Sequence, residues 1–382
     1  MTSSRSPQRI VLTSVFLALA HRLHCHPVNA SQLHNAPLER ALPVANNHLL
    51  LIATSLLVSL GLLGACTPPM EQSVAPPAST TLSNYPVTVE SCGKPVAFDS
   101  APTHALSFDT NMTEIMLALG LEHQMVGYWL SGEMVADQYK QQLADLKLVS
   151  TETSRPPGME VVLSFEPDFV FGAWNYNFSE EVGVTPDKLA AVGVKSYVLT
   201  ESCVAAGVFP SATLDGTYQD ILNIGRIFGV EDRSKEIIAQ MRADIDKVRE
   251  QIGTVDTPMR GLYYGGGADA AFTAGRYGMA SKMMDAVGAK NILSDVEKDW
   301  IPAQGWEPII DRDPEFIMID DTPWESAAHR ISTLESLPQL ANITAIRNKR
   351  YIVFPWTFIL PGMEMDDGIA MLAKELYPDR FR

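Results

Sequence analysis

Basic side chains are in short supply in this chain. Lysine and arginine number 29 against 45 aspartate and glutamate, a formal charge of −16 at pH 7. So acidic a surface does not neutralise phosphates, which excludes nucleic-acid binding. The charge instead favours solubility and docking on a basic partner surface. Histidine is scarce too: after residue 66 only His104, His123 and His329 occur. His104 opens a strand and His123 follows a helix, so a His-rich zinc or manganese site is not expected and no metal ligands are assigned. Catalytic signatures are missing as well. There is no nucleophile elbow, no Ser/His/Asp set and no H-E-x-x-H. Gly265–Gly267 lacks the G-x-G-x-x-G spacing and any Lys-Ser/Thr, so it makes no nucleotide cradle; the run more simply allows close backbone or ligand approach. An enzyme is not expected, and bare metal-ion binding stands as the first alternative to the reading reached below.

Long apolar runs are confined to the start. Ile10–Ala20 is too short to span a bilayer. The second run, Leu49–Ala65, is 17 residues long and ends in Leu63-Gly64-Ala65-Cys66. Small residues closing on a cysteine resemble a bacterial lipoprotein signal, with cleavage before Cys66 and lipid on the new terminus; a single membrane anchor is the alternative. Arg40 is the nearest positive charge before the run, and the first 40 or so residues fit an untranslated upstream extension. Without residues 1–65 the balance is 25 basic to 44 acidic residues, a net of −19. Thr67–Asn84, rich in Pro, Ser and Thr, reads as a flexible tether. Only Cys92 and Cys203 remain in the mature part. In an exported compartment such a pair is expected to form a disulfide.

Beyond the tether, one stretch occurs twice. Gly158–Phe169, GMEVVLSFEPDF, returns without a gap as Gly305–Phe316, GWEPIIDRDPEF, 147 residues later. Gly, Glu160/Glu307, Pro167/Pro314 and the final Phe coincide. Each copy reads as a short helix, a proline-marked stop and a buried strand. A fixed-offset echo is the signature of duplicated architecture, here two similar lobes.

The first lobe is expected to hold a hairpin over Val87–Phe98 turning at Gly93-Lys94-Pro95. Strands follow at Ala105–Phe108, Val126–Trp129, Phe169–Phe171 and Ser196–Leu199. A helix over Met112–Leu119 carries Glu114 in its first turn and closes at Gly120. Helices follow at Asp215–Phe228 and Asp232–Ile252, the second with a stripe of Ile237, Met241, Ile245, Val248 and Ile252 and Asp232 as N-cap. The second lobe has strands at Arg260–Tyr264, Ala271–Ala274, Phe316–Ile319 and Tyr351–Phe354, and a last helix over Gly368–Leu376. Met279, Met283 and Met284 read as core filling. Strand–helix alternation argues for parallel sheets with helices on both faces, and for ligands beyond the carboxyl ends of the strands.

FDTNMTEIMLALGLEHQMVGYW, FEPDFVFG and the paired Glu units resemble the periplasmic substrate-binding proteins of ABC importers for iron–siderophore, haem and cobalamin, from about Tyr85 to the C-terminus. The resemblance implies an α/β class III binding protein: two Rossmann-like lobes with central parallel sheets, joined by one long α-helix that permits modest closure. The boundaries are then residues 1–66 leader, 67–84 tether, 85–230 N-terminal lobe, 231–253 linking helix and 254–382 C-terminal lobe. It implies a monomer, held on the outer face of the membrane by its lipid, that binds a ferric chelate of siderophore type, or haem or cobalamin, and serves a permease dimer with its ATPase. No resident cofactor is expected. Glu160 and Glu307 would dock into arginine pockets on the two permease subunits; their plain alternative is stabilisation of a helix N-terminus. The ligand would meet Asn111, Tyr128, Trp129, Trp174, Tyr176, Tyr264, Trp324, Trp356 and Phe358, with Trp300 beside them and Arg276 facing an anionic group. For haem, Tyr264 or Tyr277 would be the axial ligand.

Overall fold

The computed structural model describes residues 85–131, 135–174, 176–208 and 213–382. The leader, Cys66 and the tether lie outside the described residues, among which no helix is long and apolar enough to cross a membrane.

The hairpin comes first, β1 (Val87–Ser91) and β2 (Lys94–Phe98), paired antiparallel. Its turn is Cys92-Gly93, not Gly93-Lys94-Pro95: Ser91 pairs with Lys94, and both turn residues have positive φ, 47° and 73°. That is the two-residue turn whose twist suits a hairpin, and it needs a glycine. Cys92 is bonded to Cys203, with Cα atoms 5.1 Å apart. The bridge ties the hairpin to the segment that follows the fourth strand of the lobe's sheet.

That sheet consists of β3 (Ala105–Phe108), β4 (Met125–Trp129), β5 (Phe169–Gly172) and β6 (Lys195–Val198), in the order β4-β3-β5-β6 and parallel throughout. All residues of β3 and β5 are buried, as expected of a parallel sheet covered on both faces. In the C-terminal lobe, β7 (Arg260–Tyr264) leads to β8 (Ala271–Ala274), β9 (Lys290–Asn291), β10 (Trp300–Gln304), β11 (Phe316–Asp321) and β12 (Tyr351–Pro355). Its main sheet runs β12-β11-β7-β9, again all parallel, while β8 and β10 form a separate antiparallel ribbon. Numbered within each sheet, both lobes read second, first, third, fourth.

The echoed stretches enter the third strand of each sheet. Gly158 and Gly305 cap the short helices Met159–Leu163 and Trp306–Arg312 in extended conformation. After the proline, the acid folds back on the entry to the first strand. Asp168 accepts from the backbone N–H of Thr103 at 2.8 Å and of His104 at 2.9 Å, and Glu315 from that of Arg260 at 2.9 Å. Their own N–H groups donate to the carbonyls of His104 and Arg260. The two copies thus lie in matching surroundings, and the following Phe169 and Phe316 are fully buried.

The helix Glu231–Ile252 spans 22 residues, about 33 Å at ~1.5 Å per residue. Val230 is its cap position and Asp232 lies inside the first turn, so Asp232 serves the helix dipole and not the cap. Its buried stripe packs against Leu214–Ile227 of one lobe and Met365–Leu376 of the other. Arg233 near its start donates to the Ala118 carbonyl, and Arg249 near its end reaches the Ala286 carbonyl.

The helix after β3 runs Thr110–Ala118, two residues earlier than expected, because Asp109 caps it by accepting from the Thr110 N–H at 2.8 Å. Glu114 therefore falls past the first turn. It is buried, accepts from the Ala136 N–H at 2.7 Å, and burial pushes its carboxyl up to about 8.

Candidate functional site

Between the carboxyl ends of the two sheets lies a cavity of about 570 Å³. The N-terminal lobe contributes Asp109, Trp129, Ser131, Thr153, Ser154, Pro156 and Tyr176. The C-terminal lobe contributes Tyr263, Phe272, Asp299, Trp300, Pro302, Asp320, Trp324, Trp356, Ile359 and Leu360. Trp129, Tyr176, Trp300, Trp324 and Trp356 thus stand together as expected.

The indole of Trp129 is fixed by donating to the Glu152 carbonyl at 2.8 Å. Trp300 stacks on Phe272 across the β8–β10 ribbon, centroids 5.6 Å apart and planes 17° from parallel, and meets Tyr263 edge-on. Gly265 permits this: a Cβ there would sit 2.6 Å from the Phe272 ring and 2.7 Å from the Tyr263 hydroxyl. Trp324, 58% exposed, lies edge-to-face on buried Trp356 at 5.4 Å. These are amphipathic rings offered to a large, partly apolar ligand.

Six expected contacts are not part of this wall. Tyr128 and Tyr264 lose to strand alternation: their neighbours Trp129 and Tyr263 face the cavity, so they face the other way. Tyr128 packs on the first lobe's core; Tyr264 is fully buried against Trp306 and donates to the Gly267 carbonyl. After β5 the chain curls around the Ala173 carbonyl, which accepts from the N–H groups of Tyr176, Asn177 and Phe178. The curl sends Tyr176 to the cavity and Trp174 to a separate hollow beside the hairpin, against Phe178. Phe358 sits in a short 3-10 turn, Trp356–Ile359, where residues three apart share a face, so Trp356 and Ile359 point to the cavity and Phe358 packs on the core. Arg276 is exposed and occupied elsewhere, donating to the Ser294 carbonyl and to Glu297. Asn111 is buried where the lobes touch: its amide donates to the Pro361 carbonyl of the opposite lobe at 3.0 Å.

No pattern in the sequence singles out the acids. Asp109, Asp299 and Asp320 all line the cavity. Asp109 and Asp320 stand at the ends of first and third strands, so the strand-end rule alone pointed to them. Burial raises all three carboxyls. Asp320 is paired with buried Arg330, which also donates to Glu325 at 3.1 Å. Behind Tyr176, buried Glu201 accepts from its hydroxyl at 3.0 Å and from the Met279 N–H of the opposite lobe at 3.1 Å; burial pushes it up to about 8. The hydroxyls of Tyr176 and Tyr263 are held well above their usual range by burial and by Glu201 and Asp320 respectively. Among the described residues no group of three or more His, Cys, Asp or Glu is placed to hold a metal ion. Glu160 and Glu307 are exposed, each the second residue of its short helix.

Two alike α/β lobes, a single long connecting helix and an aromatic cavity between them define a class III solute-binding protein. The chain belongs to the periplasmic binding protein family, whose profile matches residues 107–356. It is 23% identical over 335 residues to an uncharacterised ABC transporter substrate-binding lipoprotein, YvrC, of Bacillus subtilis (strain 168), covering 87% of this chain and 98% of that one. A periplasmic binding protein from Veillonella parvula matches with TM-score 0.65 and 26% identity, covering 76% of this chain and 97% of the other. An ABC-type Fe3+-hydroxamate transport protein from Saccharomonospora viridis matches the fold with TM-score 0.66 and 22% identity, over 76% of this chain and 99% of the other. A periplasmic haem-binding protein from Roseiflexus does so with TM-score 0.58 and 22% identity, over 73% and 100%.

Proposed function

We propose that this chain is the extracytoplasmic binding protein of an ABC importer, holding a ferric chelate of siderophore type between its lobes. The observation that carries this is the cavity itself: aromatic, about 570 Å³, and without a metal-holding cluster among the described residues. Such a site suits a metal that arrives inside an organic chelator. Fe3+-hydroxamate is the cargo of the Saccharomonospora system and haem that of the Roseiflexus protein; likenesses at 22% identity support the fold and leave the ligand to the site. Haem is the second reading. Against it, both cavity tyrosines are buried with their hydroxyls held by acids, Glu201 and Asp320, which keeps them well above their usual range and disfavours the phenolate an axial ligand supplies. Tyr264 is buried away from the cavity, and Tyr277 is no part of its wall.

Delivery to the permease dimer and its ATPase would use Glu160 and Glu307, exposed at equivalent places on the lobes. Cys66 would carry the lipid anchor, and the protein would act as a monomer with no resident cofactor. Titration with ferric hydroxamates, haemin and cobalamin, followed by tryptophan fluorescence, tests the reading. Saturable one-to-one quenching by a ferric hydroxamate is expected. A response to bare metal ions alone, or to haemin alone, would overturn it.

A further inference from the structure

The expected anion contact, Arg276, is spent on Glu297, and no lysine, arginine or histidine stands among the described wall residues. Three aspartates do. Asp109 has the least freedom: its φ is 71°, unusual for a residue with a Cβ, and its carboxylate accepts from the Thr110 N–H and the Ser131 hydroxyl, each at 2.8 Å. On the opposite wall Asp299 accepts from the Trp300 N–H at 2.7 Å, beside the Trp300–Phe272 stack. Asp320 is already neutralised by Arg330, whose other partner is Glu325. Lys298 and Arg155, next in sequence to wall residues, are exposed and outside the wall. Asp109 and Asp299 thus line the cavity with no basic side chain among the described wall residues, and exposed Lys298 acts on Asp299 only from outside the wall.

An anion entering here would lose its hydration beside like charge. A cation would gain both carboxylates and the ring faces. We propose that the cleft selects by charge, taking metal chelates that bear a protonated amine and rejecting polyanionic chelates of similar size. This rests on the reading of the cleft as a ferric-chelate site. Burial raises Asp109 and Asp299, and a bound cation would draw both back toward their ordinary range.

The test compares three ferric probes by tryptophan fluorescence and calorimetry: a linear trihydroxamate with a free ammonium group, an uncharged cyclic trihydroxamate, and a tris-catecholate bearing negative charge. Affinity should fall in that order. Added salt should weaken only the first, an arm that needs no variant. Asp299→Asn, which keeps the acceptor for the Trp300 N–H, should weaken the ammonium chelate about tenfold, a larger loss than for the uncharged one. Equal or tighter binding of the tris-catecholate, or equal loss for both hydroxamates in Asp299→Asn, would overturn the charge rule. If no ferric probe binds but the iron-free ammonium trihydroxamate does, the charge rule stands and the ferric reading falls. If none of the probes binds, both fall.

Discussion

The two lobes share a scaffold and differ in what they hang on it. Strand order, the proline-stopped helix, the acid capping the first strand and the exposed glutamate recur in both. The strand-end loops do not. The N-terminal lobe supplies two wall aromatics, Trp129 and Tyr176, whereas the C-terminal lobe supplies five, two of them on a ribbon, β8–β10, without counterpart opposite. Buried acids diverge too: Glu114 and Glu201 of the first lobe are kept neutral by burial, while Asp320 of the second has Arg330. The lesson is that the frame and its exposed glutamates recur in both halves, while the cavity wall is built differently on each.

Breaking the shared feature should have the largest effect. Reversing both acids of the proposed docking pair, Glu160→Arg with Glu307→Arg, is expected to abolish uptake of labelled chelate while affinity in solution stays unchanged; each single variant should fall between. Next comes a feature of one lobe only. Opening the Cys92–Cys203 bridge, by reduction or by replacing both with alanine, should cost about 3 kcal/mol in urea unfolding. Hydrogen exchange should quicken at β1 and β6 and not at β7 or β11. Trp300→Ala should weaken binding by about 2 kcal/mol, since the indole is a stacked platform. Tyr176→Phe, whose lost hydroxyl faces Glu201 and not open cavity, should change it by about 0.5 kcal/mol or less.

Stability should also respond to pH through the first lobe's acids. Glu114 titrates at about 8 in the fold against 4.5 when exposed. The folded state holds the proton more tightly, so this contribution is full below pH 4.5 and lost as pH rises toward 8. Glu114→Gln keeps an acceptor for the Ala136 N–H and should make the decline of urea midpoint between those pH values shallower. Two further variants sharpen the comparison of the lobes. Asp168→Ala should cost about 2 kcal/mol and Glu315→Ala about 1 kcal/mol, because Asp168 accepts from two backbone N–H groups and Glu315 from one.

The frame was legible because it rests on short-range rules. Proline stops, buried apolar strands and the exact echo of Gly, Glu, Pro and Phe place helices and strands with little help from the rest of the chain. The site was half legible. Trp129 ends its strand, and Trp356 and Tyr176 follow theirs, where ligands gather. Tyr264 and Phe358 were misplaced by one position, because a one-residue change of phase in a strand or a 3-10 turn reverses the facing side. Trp174 and Arg276 depend on loop curls set by hydrogen bonds to backbone carbonyls, those of Ala173, Val296 and Ser294, which residue types alone do not announce. The Cys92-Gly93 turn moved for a similar reason, two positive φ values that pattern does not reveal.

Iron itself gives the most direct test of where the ligand sits. Anomalous scattering at the iron edge, from crystals grown with a ferric trihydroxamate, should place the metal between the Trp129–Tyr176 wall and the Trp300–Trp356 wall. Iron found in the hollow beside Trp174, or anywhere touching one lobe alone, would contradict the account.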